Sequence, residues 1–157
     1  MHLLLPEIFN KLGELKTEQD RVTFLQTEGR KNKLLPYVLS LNFDPKVEFD
    51  LPKGQPPYKA SPHPVNMAES NFYAESRRLY LIIKDHPRRP KNLKRLQVEN
   101  IYIQMLEGVN AIEAEMLVAL KDKALQKKYK GLTEGMVRKA FPGILPEKQA
   151  PAAKETA

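Results

Sequence analysis

The chain has 157 residues, the length of one compact domain with some residues to spare for a loop or a tail. Its 26 Lys and Arg residues outnumber its 19 Asp and Glu residues, and a formal charge of +7 favours polyanionic partners such as nucleic acid or anionic lipid. The absence of cysteine excludes disulfides, thiolate metal sites and cysteine nucleophiles.

The first residues do not have the pattern of a targeting or membrane segment. Their apolar run is only three leucines long and stops at Pro6, which is too short for a signal peptide. No window of the chain approaches the roughly 18 apolar residues of a membrane span. We therefore expect a soluble protein of the cytoplasm, or of the host cytoplasm if a phage encodes it, with no membrane partner.

The N-terminal part has the pattern of three helices. Residues 3–15 carry leucine and isoleucine at helical spacing. A second helix is predicted from Thr17, a suitable N-cap, to Gly29, a suitable C-terminal residue. The third covers residues 32–43, and Pro36 fits into its first turn.

Residues 44–65 interrupt the helical pattern. Six of the chain's 13 prolines lie here, so we expect an extended crossing over the surface. Its stretch KVEF, residues 46–49, has some strand character, but we do not predict a strand.

The C-terminal half returns to helical periodicity. Predicted helices cover residues 66–84, 93–109 and 110–125, the last of these with Asn110 as its N-cap, and a short final helix starts near Thr133. In the second of these we assign Leu96, Ile101, Ile103, Leu106 and Val109 to the core. We predict one all-α domain over residues 1–147, a compact domain of six or seven short helices with a Pro-rich crossover loop, followed by a disordered tail over residues 148–157.

The inventory of catalytic groups is small. The histidines His2, His63 and His86 lie at the terminus or in proline-rich stretches, and no metal-binding, phosphate-binding or nucleophile motif is present. Glu113 and Glu115 are two residues apart on a predicted helix, which suits solvent better than a paired acid and base. We predict no enzymatic activity, no metal and no cofactor.

Positive charge is concentrated in three parts of the chain. One such cluster is more often a solvated surface, whereas three together favour contacts with phosphates. The candidate DNA-binding residues are Arg30, Lys31 and Lys33 in the first cluster, Arg88, Arg89, Lys91, Lys94 and Arg95 in the second, and Lys127, Lys128, Lys130, Gly131, Thr133, Arg138 and Lys139 in the third.

The third cluster has a further pattern. Gly131 interrupts a basic run and can admit an anion close to the main chain, while Thr133 can cap the helix that follows. Met136, Val137 and Phe141 are expected to pack the other face of this helix on the core. This arrangement favours a grip on a phosphodiester strand, and an ordinary capped helix is the alternative.

The segment GLTEGMVRKAFPGILPEKQ, residues 131–149, resembles the end of the N-terminal DNA-binding domain of T-even-type phage ATP-dependent DNA ligases. The similarity lies in Gly131 and in the segment from Phe141 to Glu147. Residues 3–49 are similar to the start of that domain in helix layout. The chain also resembles small proteins of marine T-even-like phages that end in a comparable segment.

The resemblance implies a compact helical fold that grips duplex DNA through its backbone, mainly from the minor-groove side. It places Lys130, Gly131 and Thr133 in a phosphate-contacting loop, and Arg138 and Lys139 in the next helix. The adenylation and oligonucleotide-binding domains of a ligase are not part of this sequence, and no Lys-x-Asp-Gly motif occurs. The stretch LQKKYKG before the helix also lacks the family's Arg-Asp pair.

Two functions follow as alternatives. The first is a stand-alone, non-catalytic module that binds double-stranded or nicked DNA, an accessory factor in phage replication, repair or transcription with a sliding clamp or ligase as a possible protein partner. The second is a protein-interaction or virion component that docks through the proline-rich stretch around residues 55–64, with Pro56, Pro57 and an exposed Tyr58 at the contact.

Overall fold

The computed structural model describes residues 4–59 and 67–146. These ranges contain eight α-helices and a 3-10 helix: α1 Leu5–Glu14, α2 Glu18–Lys31, α3 Leu34–Phe43, α4 Phe72–Glu75, the 3-10 helix Ser76–Ile82, α5 Arg95–Gly108, α6 Ala111–Lys121, α7 Leu125–Lys128 and α8 Glu134–Ala140. The all-α fold is confirmed. The count exceeds six or seven because α4 and α7 are single turns. The predicted tail, His2, His63 and the end of the proline-rich stretch lie outside the described residues.

Three predicted N-caps are confirmed. The Thr17 hydroxyl accepts a hydrogen bond from the Asp20 amide at 3.1 Å, and the Thr133 hydroxyl accepts one from the Met136 amide at 3.2 Å. The Asn110 side chain accepts one from the Glu113 amide at 3.0 Å. Each bond satisfies an amide that the first turn of a helix leaves without a partner, so these starts can be read from local sequence alone.

The core is formed by one face of each long helix. In α5 this face consists of Val98, Tyr102, Met105 and Leu106, all buried. The assignment of Leu96 to the core was wrong, since 68% of its surface is exposed. Leu96 precedes Val98 by two residues, about 200° around an α-helix, so it points away from the core.

The end of α2 differs from the prediction. The helix continues past Gly29 to Lys31, and Gly29 is a buried position within it. A Cβ atom at Gly29 would lie 2.5 Å from Cε1 of Phe141. The missing side chain therefore allows the ring that follows α8 to pack against α2, which is a long-range requirement and not a helix-ending signal.

The segments predicted as helices 66–84 and 110–125 are divided in the structure. The first becomes α4 and the 3-10 helix. The residue after the 3-10 helix, Ile83, pairs with Phe49 of the proline-rich stretch in a single antiparallel bridge. The second ends at Lys121 because Lys123 has a φ of +55°. The Lys123 ammonium donates to the Asp44 carbonyl and, at 2.8 Å, to the Val47 carbonyl, and burial lowers its pKa.

The described part of the proline-rich stretch lies on α5 and α6, as expected for a surface crossing. The buried Lys121 ammonium donates to the Pro52 carbonyl at 2.9 Å. The Gly54 amide donates to Asp122 at 3.2 Å, and the Lys59 amide donates to Glu107 at 2.8 Å. These contacts hold an extended segment that has no regular backbone pairing of its own.

The expectation that Glu113 faces solvent was wrong. Its carboxylate is buried at the start of α6, where it accepts hydrogen bonds from the Asn110 side chain at 2.8 Å and from the Phe72 amide at 3.3 Å. Burial is the main cause that raises its pKa above the ordinary 4.5, and the two hydrogen bonds oppose that rise. The carboxylate thus ties the start of α4 to the start of α6.

Glu113→Gln should show how this raised pKa affects stability. The folded state retains the Glu113 proton at pH values where the unfolded state has lost it, so the wild-type protein loses stability as pH rises from about 4 towards neutrality. The glutamine variant lacks this loss, and its free energy of unfolding relative to wild type should increase over the same range. Urea unfolding at several pH values measures the difference. Glu69→Gln, which removes an exposed carboxyl, controls for net charge, and a pH-independent difference for Glu113→Gln would contradict the raised pKa.

Candidate nucleic-acid interface

Parts of two of the three basic clusters lie on one pair of helices, α2 and α8, and the rest of these clusters lies on the elements beside them. α2 and α8 pack directly against each other. The Lys139 ammonium of α8 pairs with the Glu18 carboxylate of α2, and Phe141 contacts Gly29. We give the name α2–α8 surface to six exposed cations on α2, at the start of α3 and in the α7–α8 segment: Arg30, Lys31, Lys33, Lys127, Lys130 and Lys139.

Four cations of the α2–α8 surface are available for an external anion. Arg30, Lys33, Lys127 and Lys130 are exposed, and none forms an ion pair within residues 4–59 and 67–146. Lys31 pairs with Glu28 at 3.5 Å and Lys139 with Glu18. Surface pairs of this kind contribute little to stability, so a phosphate could replace either carboxylate at small cost.

The turn before α8 contains a charge that the sequence analysis missed. Gly131 has a φ of +88°, and a Cβ atom there would lie 3.0 Å from Cζ of Arg21. The Arg21 guanidinium is held in place by two hydrogen bonds to the Leu15 carbonyl, at 3.0 and 2.8 Å. Because Gly131 has no side chain, the Arg21 guanidinium lies close to the turn and places a fixed positive charge beside it.

Other predicted contacts in this region have partners inside the protein. Thr133 uses its hydroxyl as the α8 cap. The Arg138 side chain is 26% exposed and donates to Glu134 at 2.9 Å and to the Pro146 carbonyl at 2.8 Å. Lys128 pairs with Glu115 at 3.2 Å and lies over the Tyr129 ring. Arg138 in particular stabilises the chain after α8, which makes it a poor residue for testing ligand contacts.

The Tyr129 ring connects this region to the core. It is buried, its centroid lies 5.0 Å from that of Phe9, and its pKa is raised by burial and by the nearby Glu115 carboxylate. The backbone that carries the neighbouring basic residues is therefore held against α1 by the contact between Tyr129 and Phe9.

A groove lies beside Arg30 at the end of α2. Its volume is about 380 Å³, and its walls include Gly29, Pro36, Phe141 and Ile144. The groove separates the start of α3 from the segment after α8. It gives the α2–α8 surface a concave part with an apolar floor and a cation at its edge.

The second basic cluster is built on other elements, the loop between the 3-10 helix and the start of α5. Arg89 has a structural role: its side chain is 11% exposed, pairs with Asp50 at 2.7 Å and donates to the Ile83 carbonyl at 3.3 Å. Arg95 pairs with Glu99 at 3.6 Å. Lys91 and Lys94 are exposed and form no ion pair with a described residue, and Arg88 lies over the Tyr80 ring at 5.1 Å.

The residues of the alternative docking site are less accessible than expected. The prediction that Tyr58 is exposed was wrong, because it is half-buried, as is Pro56, whereas Pro57 is exposed. Tyr58 lines a cavity of about 400 Å³ between the proline-rich crossing and α6, together with Glu115 and Lys128. The crossing is thus already packed against the chain's own helices.

Neither a metal-binding cluster nor a membrane-spanning helix is found in the part of the chain that the structure describes. Within residues 4–59 and 67–146, no three His, Asp or Glu side chains lie close enough together to hold a metal ion. None of the helices in the same ranges combines the length and the apolar character needed to cross a bilayer.

Most of the chain matches a protein-family model. A family model described as "Family of unknown function (DUF6433)" matches residues 8–127. The matched region extends from α1 into α7 and includes Arg30, Lys31 and Lys33, whereas Gly131 and α8 lie after its end. No curated protein matches the chain.

Proposed function

The chain belongs to the DUF6433 family, and we propose that it is a stand-alone, non-catalytic module that binds the phosphate backbone of duplex DNA. The observation that carries this proposal is the set of four exposed cations on the α2–α8 surface that have no ion-pair partner among the described residues. The net charge of +7 supports the same class of partner. The resemblance to the DNA-binding domain of phage ligases adds a role as an accessory factor in phage DNA replication, repair or transcription.

The positions of these cations favour contacts with phosphates over contacts with base edges. Arg30 is in the last turn of α2, Lys33 starts α3 and Lys130 lies in a turn. Flexible side chains at helix ends and turns reach the backbone of a duplex, which has the same charge pattern in every sequence. We therefore propose binding with little sequence preference.

The groove beside Arg30 and the fixed charge of Arg21 are consistent with this geometry. Arg30 lines the groove and can reach a strand that lies along it. Arg21 is already oriented by the Leu15 carbonyl, so its field acts at the Lys130–Gly131 turn without loss of side-chain freedom on binding.

A salt series on labelled duplexes tests the proposal. With about five phosphates neutralised, the logarithm of the association constant should fall with the logarithm of the salt concentration with a slope of about −4 to −5. Fluorescence anisotropy with two unrelated duplexes of about 20 base pairs measures both the slope and the sequence preference. Absence of binding at low salt, or an affinity that does not change with salt, would contradict the proposal.

The cavity under Tyr58 keeps a protein-interaction or virion role as a second candidate. Tyr58 and the exposed Pro57 border an open space of about 400 Å³ that a partner side chain could enter. A Tyr58→Ala variant that loses a co-purifying phage or host protein while keeping duplex affinity would favour this second role. Loss of neither property would leave DNA binding as the better-supported function.

A further inference from the structure

One face of the segment from α4 to the 3-10 helix carries no core residue. Phe72, Glu75, Leu79 and Ile82 point inward and are buried. Tyr73 and Arg77 lie on the opposite face, and 64% of the Tyr73 surface is exposed. A tyrosine with this exposure gains little from folding, and most of its ring is accessible to a ligand.

Aromatic and cationic side chains alternate along this face. The Arg77 guanidinium carbon lies 5.6 Å from the centroid of the Tyr73 ring. Arg77 and Tyr80 are three residues apart in the 3-10 helix, where such residues lie above one another. Beyond them, Arg88 lies 5.1 Å and the His86 ring 5.6 Å from the Tyr80 ring centroid.

We propose that this strip, consisting of Tyr73, Arg77, Tyr80, His86 and Arg88, binds single-stranded nucleic acid by stacking its bases. Proteins that bind single strands combine aromatic rings, on which bases stack, with cations that follow the phosphates. Guanidinium planes stack on bases as well, so the two Tyr–Arg pairs offer stacking surfaces of both kinds. Arg77 covers one side of the Tyr73 ring, and the high exposure of Tyr73 leaves the rest of that ring accessible to a base. Tyr80, in contrast, is half-buried between Arg88 and His86.

The surroundings of the strip match the second requirement, a positive charge beside the stacking surfaces. Neither Arg77 nor Arg88 forms an ion pair with a described residue. Lys84 is exposed and has only a distant partner, Glu48 at 3.5 Å. Along the helix axis Tyr73 and Tyr80 are roughly 12 Å apart, which leaves room for more than one stacked base between them.

The strip is a second site and does not depend on duplex binding. It is built on α4, the 3-10 helix and the loop that follows, whereas the duplex proposal rests on α2, α8 and the elements beside them. The two sites also differ in chemistry, because stacking requires unpaired bases and backbone binding does not.

A comparison of normal and abasic oligonucleotides tests the proposal. Fluorescence anisotropy would measure binding of a labelled dT strand of about 12 nucleotides and of an abasic strand with the same number of phosphates. Stacking predicts that removal of the bases weakens binding about fivefold or more. Tyr73→Ala should weaken binding of the dT strand to a similar degree without changing binding of the abasic strand, and Tyr73→Phe should retain the wild-type affinity.

Matched controls separate stacking from charge and from loss of fold. Tyr37→Ala removes another exposed tyrosine, on α3, and should leave binding of the dT strand unchanged. A uridine strand of equal length shows whether RNA or DNA binds more tightly, and both results fit the proposal. Equal affinity for the dT and abasic strands, no effect of Tyr73→Ala, or no binding of either strand at low salt would overturn it. Duplex affinity of Tyr73→Ala, measured alongside, keeps this outcome separate from that of the α2–α8 surface.

Discussion

A variant in which Arg30, Lys33 and Lys130 are all replaced by Glu is expected to bind duplex DNA on the order of 500-fold more weakly than wild type at about 0.1 M salt. Each neutralised phosphate contributes a factor of about eight at this concentration, because the released counterions are diluted into the solvent. The three side chains are exposed and form no ion pair with a described residue, so the substitutions remove no such pair. The salt slope should also become shallower by about three.

The control for this variant lies on the proline-rich crossing. Lys46, Lys53 and Lys59 are also exposed, and their replacement by Glu changes the net charge of +7 by the same amount. The control should lose affinity only through the overall charge, and its salt slope should stay near that of wild type. Equal losses in the two variants would show that net charge and not the α2–α8 surface controls binding.

Gly131→Ala is expected to lower the free energy of unfolding by about 1–3 kcal/mol. The residue has a φ of +88°, which disfavours a side chain. The added methyl group would also lie 3.0 Å from Cζ of Arg21 and displace a guanidinium that is bonded to the Leu15 carbonyl. Urea unfolding followed by circular dichroism measures the change.

Gly135→Ala, in the same segment, is expected to have the opposite effect on the free energy of unfolding. Gly135 lies in α8, and a Cβ atom there has no neighbour within 4 Å. Alanine at this position should stabilise the protein by about 0.5 kcal/mol, because it reduces the freedom of the unfolded chain without causing a clash. Gly131→Asn separates the two causes at the turn, because asparagine tolerates positive φ but still brings a Cβ atom close to Arg21. A Gly131→Ala variant as stable as wild type would show that neither cause operates.

Local features of the fold were predictable because their causes are close in sequence. Thr17, Asn110 and Thr133 cap helices through amides three residues away, and this spacing is visible in the sequence. The inward positions of α1 and α3 follow helical periodicity in the same way. The all-α class follows from the sum of such signals.

Several errors have the opposite origin, since they depend on residues far along the chain. Gly29 looks like a helix end until Phe141 is placed against it. Glu113 looks solvent-facing until the Phe72 amide is brought to it by the packing of α4. Arg21 occupies an ordinary position in the first turn of α2, and only the fold shows that it lies beside Gly131.

The sequence predicts which basic residues are candidates for the site, but not how the fold distributes them over the surface. The sequence indicates three basic clusters; the structure places the first and third on and beside the packed pair α2 and α8, and the second on other elements. It also distinguishes cations that have no ion-pair partner among the described residues, such as Lys130, from Arg89 and Arg138, whose charges hold the fold together. A count of basic residues cannot make this distinction, because it depends on which carboxylates and carbonyls lie nearby.

The packing of α8 has a consequence for the cooperativity of the molecule. α8 has seven residues and packs chiefly on one helix, α2, whereas α1, α3 and α6 each pack on at least two others. Such an element opens at a lower free energy than the global unfolding of its domain, and amide hydrogen exchange would register the difference. Any polyanion that spans Arg30 and Lys130 would bind only the form in which α8 is packed on α2. Occupancy of the surface would therefore slow amide exchange in α8 by opposing its local detachment.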